Sequence, residues 1–283
     1  MKKILITGAN SYIGMSFEKY IKTNYPNDFV VDTVDMIDGS WREKNFSEYD
    51  SVFHVAGIAH QKETKENAEL YYKVNRDLAI ETAEKAKNDG VKQFVFLSSM
   101  SIYGMDTGVI TKDTVPQPRN NYGKSKLQAE QGISDILNDT FKICVLRPPM
   151  VYGKGCKGNY SLLSKISLKF PIFPYIKNQR SMIYIENLCD FVRLLIENEE
   201  HGVFCPQNAE YSNTSEMVKM IAAAHGKKMR LVKGFGWAVN FAGCCIGRVK
   251  KAFGTLNYSF DLSDYKENYR VVSLEDSIKK TEI

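Results

Sequence analysis

The chain has 283 residues, 43% of them hydrophobic and 25% charged, with a formal net charge of +5. That length can bury a large core as one domain or one domain with a smaller lobe, and the mild positive balance suits an anionic small ligand or an acidic membrane surface. Nucleic-acid binding is not expected, because no arginine-rich run or dense cationic cluster interleaved with aromatics occurs. No metal is expected either, since the six cysteines form no C-x-x-C pair and have no histidine at zinc-ligand spacing.

The first element, "KKILITG" (2–8), reads as a buried strand with no signal-peptide pattern before it, so a cytoplasmic protein is expected. The overlapping "TGANSYIG" (7–14) is a strand–turn–helix transition. Glycines at 8 and 14 stand where a tight turn and close helix–strand packing need them, and the helix N-terminus beyond can receive a pyrophosphate. Ser11 replaces the middle glycine of that pattern, and its Cβ crowds the phosphates. A helix follows over 12–25, with Ile13, Phe17, Tyr20 and Ile21 on one face. "FVVDTVD" (29–35) is the second strand, and an acidic residue closing it would hold the adenosine ribose. Asp32 and Asp35 are both candidates. Asp35 is preferred at the C-terminal end, and the absence of Arg or Lys directly after it favours NAD over NADP.

Residues 36–50 are too polar and irregular for a strand plus helix. Further strands are expected at 51–57, 93–99 and 142–147, with helices over 67–90, stopped by Gly90, and over 122–137. Ser98 and Ser99 then lie at the C-terminal edge of the sheet, and Tyr122 and Lys126 share a helix face one turn apart. Beyond 150 the pattern loosens to "FPIFP" (170–174), helices over about 186–197 and 214–226, and an irregular tail. The apolar "GFGWAVNFAGCCIG" (234–247) is too short to span a membrane and reads as a buried or interfacial helix, or a peripheral membrane contact. The alternation predicts an α/β fold: a Rossmann-type doubly wound parallel sheet over residues 1–150, with a smaller substrate-binding lobe over 151–283 interleaved with it.

The segments "TGANSYIG", "FHVAG", "VNRDLAIETAEKA", "FLSSMSIYG", "YGKSK", "LRPPMVYGKG", "RSMIYIENL" and "SLEDSIKKT" cover nearly the whole chain in order. They resemble the extended short-chain dehydrogenase/reductase family, within it the NAD-dependent nucleotide-sugar epimerases and dehydratases. The resemblance implies Ser99, Tyr122 and Lys126 as the catalytic hydroxyl, base and lysine, with Ser99 four residues before Tyr103. It implies NAD held by Gly8, Asn10, Ser11, Tyr12, Ile13, Gly14, Asp35, Ala56, Gly57, Asn75 and Lys126. A tyrosine titrates near ~10 on its own, so it serves as a base only where a cation favours the phenolate.

The resemblance further implies hydride chemistry at a sugar C4. The expected function is a 4-epimerase of a nucleotide-linked hexose or N-acetylhexosamine in surface-polysaccharide biosynthesis. The alternatives are a 4-keto-sugar reductase, on a nucleotide or a lipid-diphosphate carrier, and a non-catalytic NAD-binding regulator. A 4,6-dehydratase is disfavoured, because Met100 and Ser101 stand where that branch has an Asp-Glu pair. Arg180 is implied as a diphosphate ligand and Asn159 as a substrate contact. Met150 departs from the asparagine of UDP-galactose 4-epimerases. His54 is expected to pack near the cofactor loop, His60, His201 and His225 carry no role, and a homodimer through the helices at 67–90 and 122–137 is expected.

Overall fold

A computed structural model describes residues 1–59, 63–64, 66–234 and 253–283. His60, Cys244, Cys245 and all but the first residue of the apolar 234–247 segment lie outside the described residues. Chain order is β1 (Lys2–Thr7), α1 (Tyr12–Asn24), β2 (Phe29–Val34), β3 (Ser51–His54), α2 (Ala68–Tyr72), α3 (Leu78–Asn88), β4 (Gln93–Leu97), β5 (Gly108–Ile110), α4 (Asn121–Ser134) and β6 (Lys142–Leu146). Then come β7 (Met150–Tyr152), α5 (Asn159–Lys169), β8 (Ile172–Pro174), β9 (Met182–Tyr184), α6 (Ile185–Glu197) and β10 (Gly202–Phe204). The described chain continues with α7 (Thr214–Ala224), β11 (Arg230–Val232) and β12 (Leu256–Tyr258), and closes with a helix over Leu274–Glu282.

Six strands pair in parallel in the order β10-β6-β4-β3-β1-β2. Strands β3 and β4 are buried at every residue, which is why they read as unbroken apolar runs: a parallel sheet is covered on both faces. Alternation assigns the two faces. Ile4, Ile6, Phe53 and Val95 pack with Phe17 and Ile21 of α1 and Leu188, Val192 and Leu195 of α6. Leu5, Val52, Phe94 and Phe96 face Ala79, Ala83 and Ala86 of α3 and Ala129 and Ile133 of α4. Small residues let α3 and α4 approach closely: a Cβ on Gly132 would meet Ile80 Cδ1 at 2.4 Å.

The doubly wound fold expected from the alternation is the one that forms, and residues 36–50 supply no strand and only a 3₁₀ turn, Ser40–Arg42. Trp41, Phe46 and Tyr49 are instead buried in the α3–α4 core, covering the face a crossover helix would cover. The strand order reverses between β1 and β3, and ligands of such sheets bind in the crevice at that point. Several elements differ from expectation. The helix expected over 67–90 is broken at Lys73–Asp77 by a π turn, and α5 and β10 were not foreseen. Residues beyond 150 give the sheet its edge strand β10 and the covering helix α6. They also build the two-stranded parallel pairs β7–β9, β8–β11 and, with β5, β5–β12.

Candidate active site

The turn after β1 meets the loop after β3. Val55 and Ala56 N–H both donate to Thr7 O at 3.0 Å, and a Cβ on Gly8, which has φ +111°, would meet Ala56 N at 2.8 Å. Only glycine fits there. Asn10 holds φ +66°, a left-handed conformation that asparagine tolerates. Ser11 caps α1, its Oγ accepting from Gly14 N at 3.1 Å, so its hydroxyl is folded back onto the helix. Among the described residues no hydrogen bond engages the N–H of Tyr12 or Ile13, which leaves two donors at the helix end for an anion. The Tyr12 hydroxyl, by contrast, is buried without a partner.

The two candidate aspartates, Asp32 in β2 and Asp35 after it, separate. Asp32 accepts from Tyr49 OH at 2.9 Å, whereas Asp35 stands just past the strand end, its Oδ1 accepting from Ile37 N at 2.7 Å. Asn75, in the π turn, is fully buried. It binds both N–H and C=O of Ile58 (2.8 and 3.1 Å) and donates to Ser125 Oγ at 3.2 Å, tying the loop after β3 to α4. π turns recur at functional sites for this reason: the extra residue redirects one side chain.

Two consecutive residues at the end of β4 bond to successive turns of α4, and a third, Ser99, faces its first turn. Ser99, the cap of the 3₁₀ turn Met100–Tyr103, accepts from Ser101 N at 3.1 Å, and its hydroxyl lies beside the Tyr122 phenol. Lys126 Nζ donates to Leu97 O at 2.7 Å and lies 4.7 Å from the Phe96 ring centre. Ser98 Oγ donates to the Glu130 carboxylate. Ser99 and Tyr122 are thus brought together, while the Lys126 ammonium points to the strand-end carbonyl, under Gly57, rather than to the phenol. Desolvation raises the pKa of Tyr122, and the neighbouring Ser99 hydroxyl opposes the rise. Desolvation brings Lys126 down to about 7, with Glu130 opposing. His54 Nδ1 is 2.8 Å from Thr7 Oγ1; burial, and then Lys126, hold its pKa at about 3, so it stays neutral and is no base at working pH.

Two residues here escaped sequence reasoning. Glu130 lies one turn beyond Lys126 and forms a fork with Arg147, Nη2 to Oε2 at 2.6 Å, while Arg147 Nη1 donates to Tyr103 OH at 3.0 Å. The only signal was a carboxylate continuing the four-residue spacing of Tyr122 and Lys126, and nothing in the sequence marks it as buried. Glu63 is the other: its carboxylate accepts from the N–H of Asn121 (3.1 Å) and Tyr122 (3.2 Å), at the positive end of α4.

Asn159 and Arg180 line one cleft with Met150, Leu163, Phe173 and Met217. The backbone of Arg180 bridges Ser212 in both directions at 2.9 Å, and its Nη1 donates to Gly254 O at 2.8 Å. Among the described residues no carboxylate forms an ion pair with it. Burial lowers its pKa, with Asp106 opposing, which leaves a partly desolvated guanidinium facing the cleft. No group of three His, Cys, Asp or Glu is placed to hold a metal ion among the described residues.

The model of the NAD dependent epimerase/dehydratase family matches residues 4–205. The chain belongs to this family. Among curated relatives, the UDP-glucose 4-epimerase of Vibrio cholerae is 29% identical, over 94% of this chain and 89% of its own. The N-acetyl-alpha-D-glucosaminyl-diphospho-ditrans,octacis-undecaprenol 4-epimerase of Escherichia coli O157:H7 is 25% identical, over 80% of this chain and 73% of its own. Among solved structures, the UDP-glucuronic acid 4-epimerase of Bacillus cereus in complex with NAD superposes with TM-score 0.74 at 19% identity, covering 99% of this chain and 97% of that one, which shows the shared fold. As a member of this epimerase/dehydratase family, the chain is an enzyme and NAD is its cofactor. The Gly8–Gly14 turn, the free N–H groups of Tyr12 and Ile13 and the carboxylate of Asp35 fit that cofactor.

Proposed function

We propose that the protein is an NAD-dependent 4-epimerase of a diphosphate-linked sugar, first a UDP-linked hexose or N-acetylhexosamine. The observation that carries this is the Ser99 hydroxyl beside the Tyr122 phenol, with Lys126 one turn on, at the C-terminal edge of a sheet in this family. NAD, when bound, supplies the hydride acceptor and donor for sugar C4. Tyr122 takes the proton of the C4 hydroxyl and returns it, while Ser99 donates to the same sugar oxygen. Lys126 holds a nicotinamide ribose hydroxyl and, as an ammonium, favours the phenolate. Asp35 holds the adenosine ribose, and Arg180 pairs with the substrate diphosphate, which its planar fork suits.

Met100 and Ser101 follow Ser99 and cannot eliminate water, so the reaction stops at inversion. The reading also takes the enzyme as a cytoplasmic homodimer through α3 and α4, with residues 151–283 as the substrate lobe. A lipid-diphosphate carrier is favoured as a second substrate class by the apolar lining of the cleft and by the Escherichia coli relative. The test is NMR of UDP-GlcNAc and, separately, UDP-glucose incubated with the protein and NAD. A galacto-configured anomeric signal growing to equilibrium is the expected result. Net consumption of reduced cofactor on a 4-keto sugar, without epimer formation, would replace the epimerase by a reductase.

A further inference from the structure

Charge is unevenly distributed along this chain. Residues 151–185 and 217–234 contain eleven Lys and Arg and no Asp or Glu, whereas the whole chain holds 38 against 33. The remainder is therefore net acidic. The two basic segments pack on each other: β8 pairs with β11, setting Ile172 beside Arg230, and Lys227 Nζ donates to Leu168 O at 2.8 Å. Lys165, Lys169, Lys227, Lys228, Arg230 and Lys233 are all exposed. None of the six forms an ion pair among the described residues. The acidic residue reaching this region, Glu282, accepts from Ser164 and His225, and its side chain is 7% exposed.

Large apolar side chains face solvent on the same segments. Phe170 is 50% exposed with Lys169 over its ring, Ile172 is 56% exposed, and Leu162, at the rim of the cleft, is 53% exposed. Unpaired cations alone would suit any polyanion. Apolar groups standing among them suit a bilayer, where the lysines meet lipid phosphates and the hydrocarbon enters the acyl boundary. We propose that this face docks on an anionic bilayer and presents the adjoining cleft to a sugar whose diphosphate carrier is embedded there. The lipid-linked substrate rests on the epimerase reading, whereas binding to a bilayer does not, so either can fail without the other.

The experiment is sedimentation of the purified protein with vesicles of phosphatidylcholine alone and of phosphatidylcholine mixed with phosphatidylglycerol. Sedimentation with the anionic vesicles only, reversed at ~0.5 M salt, is expected. Lys169→Glu/Lys228→Glu/Arg230→Glu should weaken it at least ~10-fold, and Phe170→Asp/Ile172→Asp should do the same, with NAD content at the wild-type level as the test of folding. Equal partition to both vesicle types, no partition at all, or unaltered partition of both variants would overturn the docking face. Displacement from anionic vesicles by single-stranded RNA at low concentration would overturn it in favour of a nucleic-acid surface.

Discussion

Lys126 is a cation held where water does not reach, and that placement has a measurable consequence. Its folded-state pKa falls from 10.5 to about 7, desolvation being the main cause. Between those values the unfolded chain holds a proton that the folded chain has shed, so stability rises with pH across that window and the cost of burying the charge is full below it. Comparing Lys126→Met with the wild type isolates this contribution. From pH 7 to pH 10, the wild type should gain on the order of 4 kcal/mol relative to the variant in urea unfolding without cofactor. A difference that is flat across that range would place Lys126 in water. Asp35 makes a second residue-scale prediction. Asp35→Asn should weaken NAD binding about tenfold or more, read by fluorescence titration, because a charge-assisted hydrogen bond to a ribose is lost. Unchanged affinity would move the ribose partner elsewhere, to Asp32 first.

At the scale of elements, the site depends on how the end of β4 is fastened to α4. Leu97 O accepts from Lys126 and Ser98 Oγ donates to Glu130, so strand and helix cannot slide without breaking both. The Glu130–Arg147 pair anchors this contact: the side chains are 6% and 15% exposed, and Arg147 O accepts from Tyr258 OH at 2.7 Å. Removing one partner of a buried pair leaves the other charge uncompensated. Glu130→Gln is therefore expected to cost about 3–5 kcal/mol in urea unfolding, and Glu130→Gln/Arg147→Met distinctly less. Losses that simply add would mean the two residues do not act as a pair.

Over the whole molecule, the parts legible in the sequence are those whose signal is local. The strands of the sheet centre are unbroken apolar runs, and Gly8 and Gly14 stand where the Ala56 backbone and the Ser11, Ile6 and Val55 side chains leave no room for a Cβ, so the sheet and its cofactor turn could be read directly. The spacing of Tyr122 and Lys126 and the sheet-edge place of Ser98 and Ser99 were legible in the same way, whereas the choice of Ser99 and the roles of the three came from the family resemblance. What escaped is defined by partners distant in sequence. Strand β10 has three residues, two of them exposed, and becomes a strand only by pairing with Cys144, Val145 and Leu146 of β6. Helix α5 starts at Gly158 without a side-chain cap, and only Tyr160, Leu163 and Ser167 of it are buried. The π turn reveals itself only through the bonds of Asn75, and Glu130 reads as one more polar helix residue until Arg147 is seen beside it.

The central claim is that Tyr122 moves the proton at the sugar hydroxyl, and the rate of the Tyr122→Phe variant tests it most directly. With UDP-GlcNAc or UDP-glucose, whichever the wild type epimerises, the variant should lose at least about a thousandfold in turnover while retaining NAD at the wild-type level, since only the phenol oxygen is removed. Turnover within about tenfold of wild type, with NAD bound, would contradict the account and require another group to carry the proton.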